Sequence, residues 1–259
     1  MKNCFYENQS RYGSRRISAA LHKAGERIGR FQVRQLMREQ NLQAIQPKKF
    51  VPKTTDSRGT IASPNLLKEP NVSECAAGKI IIGDMTYLPL SSGQWCYLAV
   101  CQDEVTRRIV GWQLSETMRA ELVIEALKKA IEKGFVKAGA IIHTDRGSQS
   151  AATQYRYLLQ QNCFRQSMLA KGNCYDNTRA ESFFSRFKAE LVEGGVFETV
   201  EQSRSEVFSY IEGYYNRQRL HSGIGYKTPL EFKLELKTKE RRSRKFCLHF
   251  YLTISGKIY

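Results

Sequence analysis

Three carboxylates stand in apolar company. Asp84 lies inside Ile80-Ile81-Ile82-Gly83-Asp84-Met85, Asp145 ends the run Ile141-Ile142-His143-Thr144-Asp145, and 35 residues separate Asp145 from Glu181. A carboxylate among isoleucines is costly to bury without a hydrogen-bond partner or a metal ion. Hydrolysis or transfer of a phosphodiester needs an attacking oxygen, a stabilised phosphorus and a leaving oxygen in line, and two Mg²⁺ ions about 3.5–4 Å apart can serve both oxygens. Mg²⁺ favours a few carboxylates plus water and substrate phosphate. Asp84, Asp145 and Glu181, arriving from three separate elements, match that demand, with one bridging both ions and each of the others holding one. Each has a plainer role as well. Asp84 could be a hydrogen-bonded structural acid and Asp145 part of a strand-ending turn. Glu181 completes Thr178-Arg-Ala-Glu181, a capping box in which it would bond back to Thr178. Lys188 follows two turns after Glu181 on the face of Ser185, placed to reach a substrate phosphate, while Phe183, Phe184 and Phe187 take the inner side. His143 fits a packed strand residue better than a ligand.

The elements that carry these acids can be read from spacing. Lys79–Leu90, Trp95–Cys101 and Arg108–Leu114 read as an antiparallel meander of three strands. A helix follows over 119–133, with Val123, Leu127, Ala130 and Ile131 inward and Gly134 just past its end. Ala138–His143, apolar on both faces, reads as a central parallel strand. A helix over 151–161, a strand over 164–168, a glycine-containing loop and the Glu181 helix complete an α/β order that matches a ribonuclease-H-like fold. In that fold Asp84 and Asp145 meet at one place on the sheet.

Upstream, Ile17, Ala20 and Leu21 give one short helix. After Gly25, Val33, Leu36 and Met37 give a second, beside a basic row of Arg30, Arg34 and Arg38. Helix, glycine turn and basic helix outline a helix-turn-helix, or a small helical hairpin with a solvated basic face. Downstream, a long helix carries Val207, Ile211 and Tyr214. Tyr215, Asn216, Arg219 and His221 then either cap and pack the helix end or contact DNA, and Arg219 and His221 are counted among the DNA contacts. A last short helix spans 230–237, before a tail that is basic and then apolar and β-prone. The expected division is 1–45 helix-turn-helix-like, 46–74 a Pro-rich linker, 75–195 catalytic core, 196–236 its C-terminal helical part and 237–259 an atypical basic tail.

Charge is polarised. Residues 1–60 hold 13 Lys/Arg against 4 Asp/Glu and residues 237–259 hold 7 against 1, whereas residues 61–236 hold 21 against 20. Basic ends of this kind favour a polyanion through counterion release. The seven cysteines have no C-x-x-C spacing and the four histidines are scattered. A zinc site and a disulfide framework are therefore not expected. The start of the chain has no signal-peptide core, and no apolar run reaches membrane-spanning length.

The set Gly83-Asp84-Met-Thr86-Tyr87, His143-Thr-Asp145-Arg-Gly-Ser-Gln149, Gly172-Asn173-Cys-Tyr-Asp176-Asn177 with Glu181-Ser182, Tyr215-Asn216-x-x-Arg219-x-His221-Ser222 and Thr228-Pro229 resembles the second-frame (OrfB) transposases of the insertion-sequence-three family. These share a retroviral-integrase-like core. The resemblance runs from about Tyr12 to Phe232. It implies Mg²⁺ (with Mn²⁺ as a substitute), water-driven cleavage at element ends and strand transfer by a 3′-hydroxyl. It also implies terminal inverted repeats and target DNA as partners, homo-multimers on paired ends, an upstream-frame (OrfA) protein or frameshift fusion, and a nucleoid-associated place in the bacterial cytoplasm. The chain departs from the family at Gly83 (usually threonine), Ser150 and Leu169 (usually tyrosine and serine), and beyond about Thr238. It also begins close to its Tyr12-Gly13 motif. Two other functions fit the same residues: a DNA-binding remnant that has lost catalysis and works through Arg30, Arg34 and Arg38, and a structure-selective nuclease without strand transfer.

Overall fold

The computed structural model describes residues 1–47, 63–68, 75–145, 147, 149, 152–168, 178–192 and 196–255, with side chains for all of these except 178–181 and 244–255. The β-branched and aromatic runs form a five-stranded sheet. Its strands are β1 (Ile80–Pro89), β2 (Trp95–Asp103), β3 (Ile109–Ser115), β4 (Ile141–Thr144) and β5 (Arg165–Met168). The spatial order is β3-β2-β1-β4-β5. The first three strands form an antiparallel meander, and β4 and β5 run parallel to β1. This mixed order, with helices on both faces, is the ribonuclease-H-like arrangement.

One face of the sheet is covered by α4 (Ala120–Glu132) and α5 (Thr153–Gln161). Gly111 permits the close approach of α4. A Cβ there would lie 2.1 Å from the Ala126 carbonyl oxygen. The buried face of α4 is broader and rotated from the expected stripe: Leu122, Ile124 and Ala126 are buried with Leu127 and Ala130, while Val123 and Ile131 are only partly covered. The helix lies flat on the sheet, so a wider arc contacts it.

The other face carries α6 (Thr178–Phe187), which continues as a π-helical turn over Lys188–Val192, and then α7 (Val200–Phe208) with a second π-helical stretch over Ser209–Tyr215. Phe183, Phe184 and Phe187 point inward as expected. The π-helical stretch sends Tyr210, Ile211, Tyr214 and Tyr215 into the core together.

At the N-terminus α2 (Ser14–Lys23) and α3 (Arg30–Glu39) follow the expected pattern, preceded by a short helix, α1 (Lys2–Glu7), that periodicity did not reveal. These helices do not stand apart. Phe5, Tyr12, Ile17, Val33 and Met37 belong to the same apolar cluster as Phe183, Phe187, Tyr210 and Ile211. Residues 63–68 of the expected linker run beside β5, where Met168 N donates to the Pro64 carbonyl and Leu66 N donates to Ser167 Oγ.

The final helix, α8, extends over Pro229–Ser255, far beyond the short helix expected, and the β-prone tail continues it. The intervening Lys-, Arg- and Glu-rich residues are good helix formers. Lys239 also pairs with Glu235 one turn back at 3.2 Å. Among the described residues no helix is long and apolar enough to cross a membrane.

Candidate active site

Asp84 and Asp145 are brought together by strand register. β1 and β4 pair in parallel through Ile80 with Ile141, Ile81 with Ile142 and Ile82 with His143. Carried two residues on, that register sets Asp84 beside Asp145. The two acids line one narrow cleft with Gly83, Val100, Thr144 and Tyr155. Burial raises the Asp145 carboxyl above the usual carboxylate range, opposed by the Gly147 N–H, which donates to Asp145 Oδ1 at 3.0 Å. Gly147 is held close: a Cβ would lie 3.0 Å from both Asp145 Oδ1 and Gln149 Oε1. Asp84 Oδ1 accepts from Met85 N at 2.8 Å.

Two neighbouring carboxylates, one of them largely desolvated, suit a hard divalent cation. Such an ion takes oxygen donors and offsets the charge that burial penalises.

Glu181 lies on α6, which packs against β1. Its side chain, and the Thr178 cap with it, fall outside the described residues. Lys188 follows on the π-helical turn with its Nζ 4.2 Å from the centre of the Tyr87 ring. Burial lowers the Lys188 ammonium pKa, and the Asp84 charge works against that shift. The lysine is therefore within electrostatic reach of the site. His143 is fully buried on β4 with Nδ1 2.8 Å from Ser167 Oγ, which makes it a packed strand residue.

Arg30, Arg34 and Arg38 are exposed on α3, while Val33 and Met37 on the same helix are buried. The basic row thus faces outward.

The Tyr-Asn-x-x-Arg-x-His segment packs against the core, with Arg219 buried and His221 half-buried. Arg219 donates through Nε and a terminal nitrogen to Glu190 at 3.3 and 3.0 Å, and both side chains are almost completely buried. Tyr210 OH donates to the same carboxylate at 2.8 Å. A guanidinium engaged in this way has no surface to offer a phosphate. The His221 ring meets Tyr215 edge to face. Burial, then Arg219, Arg16 and Arg107, hold its pKa well below 6.5, so the ring is neutral near pH 7. Asn216 reproduces a strand partner. Its Oδ1 accepts from Ile109 N and its Nδ2 donates to the Ile109 carbonyl, both at 3.0 Å. Tyr215 OH accepts from Gln102 Nε2 at 2.9 Å.

Glu190, which sequence patterning passed over, is the hub of this cluster. It looked like an ordinary helical acid, and its one signal was its place between Ala189 and Leu191 on an aromatic-backed helix. Tyr12 stands out as a motif residue, but the sequence does not reveal its bonding role. Its phenol donates to the Gln218 carbonyl and accepts from Leu220 N, each at 2.9 Å.

Sheet order and paired acids define an integrase-type nucleic-acid-processing core joined to a helix-turn-helix-like module. Family models agree: integrase core domain over residues 75–174, a second integrase core domain model over 181–235 and an HTH-like domain over 1–50. The chain is 38% identical over 234 residues to the transposase for insertion sequence element IS904 of Lactococcus lactis subsp. lactis (strain IL1403), covering 90% of this chain and 91% of that protein. It is 38% identical over 229 residues to transposase InsF for insertion sequence IS3A of Escherichia coli (strain K12), covering 88% and 79%. Among solved structures, the catalytic core domain of BIV integrase covers 63% of this chain and 99% of its own at 19% identity, with a TM-score of 0.47. The chain belongs to the IS3 family of insertion-sequence transposases and is a polynucleotidyl transferase with DNA as its partner. Integrase cores as a family use a divalent metal ion.

Proposed function

We propose that the chain cleaves the ends of its own insertion sequence and joins the freed 3′-hydroxyls to target DNA, with Asp84, Asp145 and Glu181 as the metal-binding catalytic acids. The observation that carries this is the β1–β4 register, which continues to Asp84 beside Asp145 while the Glu181 helix packs on β1. Two Mg²⁺ ions held there, with Mn²⁺ as a substitute, would supply Lewis-acid activation of the attacking oxygen and stabilisation of the leaving one. The chain's own residues do the rest. The Gly147 N–H fixes the orientation of the Asp145 carboxylate. Lys188 brings a cation to the side of Asp84, where a scissile phosphate would sit. Arg30, Arg34 and Arg38 hold backbone phosphates of the terminal repeats at a distance from the chemistry, as basic helix faces do. The working form is a homo-multimer on paired ends in the nucleoid, made alone or as a fusion with an upstream-frame protein. Residues 1–45 act as the DNA-binding segment and 75–236 as the catalytic body.

The test uses duplexes copied from the inverted repeats that flank the coding frame. With Mg²⁺ or Mn²⁺ the wild-type chain joins labelled ends to target, and Asp145→Asn reduces joining to background while end binding persists. Wild-type protein that joins nothing, with or without the upstream-frame protein, overturns the proposal. Cleavage of RNA–DNA hybrids without joining would make the chain a nuclease instead.

A further inference from the structure

β1 outruns its parallel neighbour. The β1–β4 pairing extends through Ile82 and His143 and β4 ends at Thr144, whereas β1 continues to Pro89. Beyond Asp84, then, only β2 pairs with β1 among the described strands, until Leu90 bridges to Phe197. Along this open edge, three residues past Asp84, is Tyr87. Its ring meets that of Trp95 at a centroid distance of 5.0 Å and an interplanar angle of 89°. Both rings face solvent, Tyr87 at 38% and Trp95 at 46% exposure. Lys188 Nζ lies 4.2 Å from the centre of the Tyr87 ring.

Single exposed aromatics need no explanation. Two in contact, with a lysine on one ring that also feels the Asp84 charge, form a composite surface. In an edge-to-face pair neither ring lies flat on the other, and both keep exposed aromatic surface. An uncovered aromatic face beside a cation is the pairing that single-stranded nucleic acid uses, with the base on the ring and the phosphate on the ammonium. A duplex offers no free base face. A strand end or a nucleotide next to a cleavage point does, and this is the part of the DNA that has to reach Asp84.

We propose that Trp95 and Tyr87 form a stacking platform that holds one unpaired base of the DNA strand whose phosphate is at the Asp84–Asp145 cleft, with Lys188 on that strand's backbone. The inference rests on the proposed function for the identity of the DNA, but not for the contact itself. The platform positions the strand and takes no part in bond breaking. Because every base has a π-face, it reads the presence of an unpaired base and not its sequence.

Two measurements test it on the full chain. End duplexes carrying 5-iododeoxyuridine at successive terminal nucleotides are irradiated without metal, and the crosslinked peptide is identified. A crosslink to Trp95 or Tyr87 from one terminal position is expected. In the joining assay Trp95→Ala should be slower by about 10-fold, in the range of one lost base stack, while Trp95→Phe keeps most of the rate. An abasic nucleotide at the crosslinking position should slow wild type by the same factor and slow Trp95→Ala no further. Crosslinks that map elsewhere, or abasic and Trp95→Ala losses that multiply at every position, overturn the platform. A Trp95→Ala chain that changes its oligomeric state and leaves the crosslinking pattern as in wild type also overturns it and assigns the patch to contact between copies. A crosslink to Trp95 in protein that joins nothing leaves the platform standing and removes the proposed function.

Discussion

Arg219→Met separates the packing role of the Tyr-Asn-x-x-Arg-x-His segment from a DNA-contact role. The wild-type pair is buried to 3% and 1% side-chain exposure, with the guanidinium 3.0 Å from Glu190 Oε1. Methionine matches much of the arginine stem but leaves the Glu190 carboxylate with the Tyr210 phenol as its side-chain donor. Breaking a buried pair by removing one partner costs about 3–5 kcal/mol. The retained phenol bond places the expected loss toward the lower end. Removing both charges, in Glu190→Gln with Arg219→Met, strands no ion and should recover most of that loss, since the introduced amide oxygen can still accept from Tyr210. Urea unfolding followed by circular dichroism measures both: the single variant should shift the midpoint well down at unchanged slope, and the double variant should return toward wild type. The salt dependence of end binding, measured below the unfolding range, should keep its wild-type slope in the single variant. A single variant within about 1 kcal/mol of wild type, together with a salt slope shallower by about one unit, would refute the packing role and return Arg219 to the phosphate backbone.

Gly147→Ala presses a methyl against Asp145 Oδ1 and Gln149 Oε1 at 3.0 Å. Misplacing one carboxylate should slow joining by about 10-fold to 10²-fold, with end binding unchanged; an undiminished rate would show that the Asp145 orientation does not matter. Arg34→Gln on the exposed face of α3 should weaken binding to all duplexes alike and reduce the log–log salt slope by about one, and an unchanged slope would remove α3 from the DNA. Lys233, 4.0 Å from the Phe135 ring centre, is pushed down to about 8 by burial and by Arg108, Lys237 and Lys137. Its folded pKa is below its unfolded one, so the unfolded chain binds more protons between about 8 and about 10.4 and stability rises with pH across that window. Amine acylation of Lys233 should show a midpoint near 8 that moves upward in Arg108→Gln, and a midpoint at the ordinary lysine value would contradict the clustering.

The sheet and most of its helices were legible because their signals are local. Ile80-Ile81-Ile82 reads as a strand without knowledge of its neighbours, and Val33 with Met37 reads as a helix face. The Asp84–Asp145 pairing was legible one step further on, since the element order matches a ribonuclease-H-like fold, in which the first and fourth strands are neighbours. Arg219 stands out in its Tyr-Asn-x-x-Arg-x-His motif, but its partner Glu190 does not, because the buried ion pair joins residues 29 apart. Like Thr178-Arg-Ala-Glu181, whose side chains lie outside the described residues, Thr228-Pro229-Leu-Glu231 has capping-box spacing. There Thr228 N donates to Glu231 Oε2 at 2.8 Å and Glu231 N donates to Thr228 Oγ1 at 3.1 Å. Proline at the first helical position strengthens that start. Thr253 and Ile254 make the tail β-prone, while the charged residues before them carry the helix forward.

The same cluster bears on how the two ends of the chain are coupled. A Pro-rich stretch at 46–74 suggests that the N-terminal helices are tethered loosely to the core. The contacts point the other way. Tyr12 bonds to both Gln218 and Leu220, Arg16 Nε donates to the Leu220 carbonyl at 2.8 Å, and the Arg11 guanidinium sits 4.4 Å from the Tyr214 ring centre. Gln218 and Leu220 flank Arg219, whose guanidinium is clamped by Glu190 on the turn that continues α6. One continuous apolar cluster therefore supports both α3, with its outward arginine row, and α6, the helix that carries Glu181. A long segment between two elements sets only how far apart they could be. Here buried phenol and guanidinium contacts set where they are, so the basic helix is held in a fixed relation to the acidic cleft.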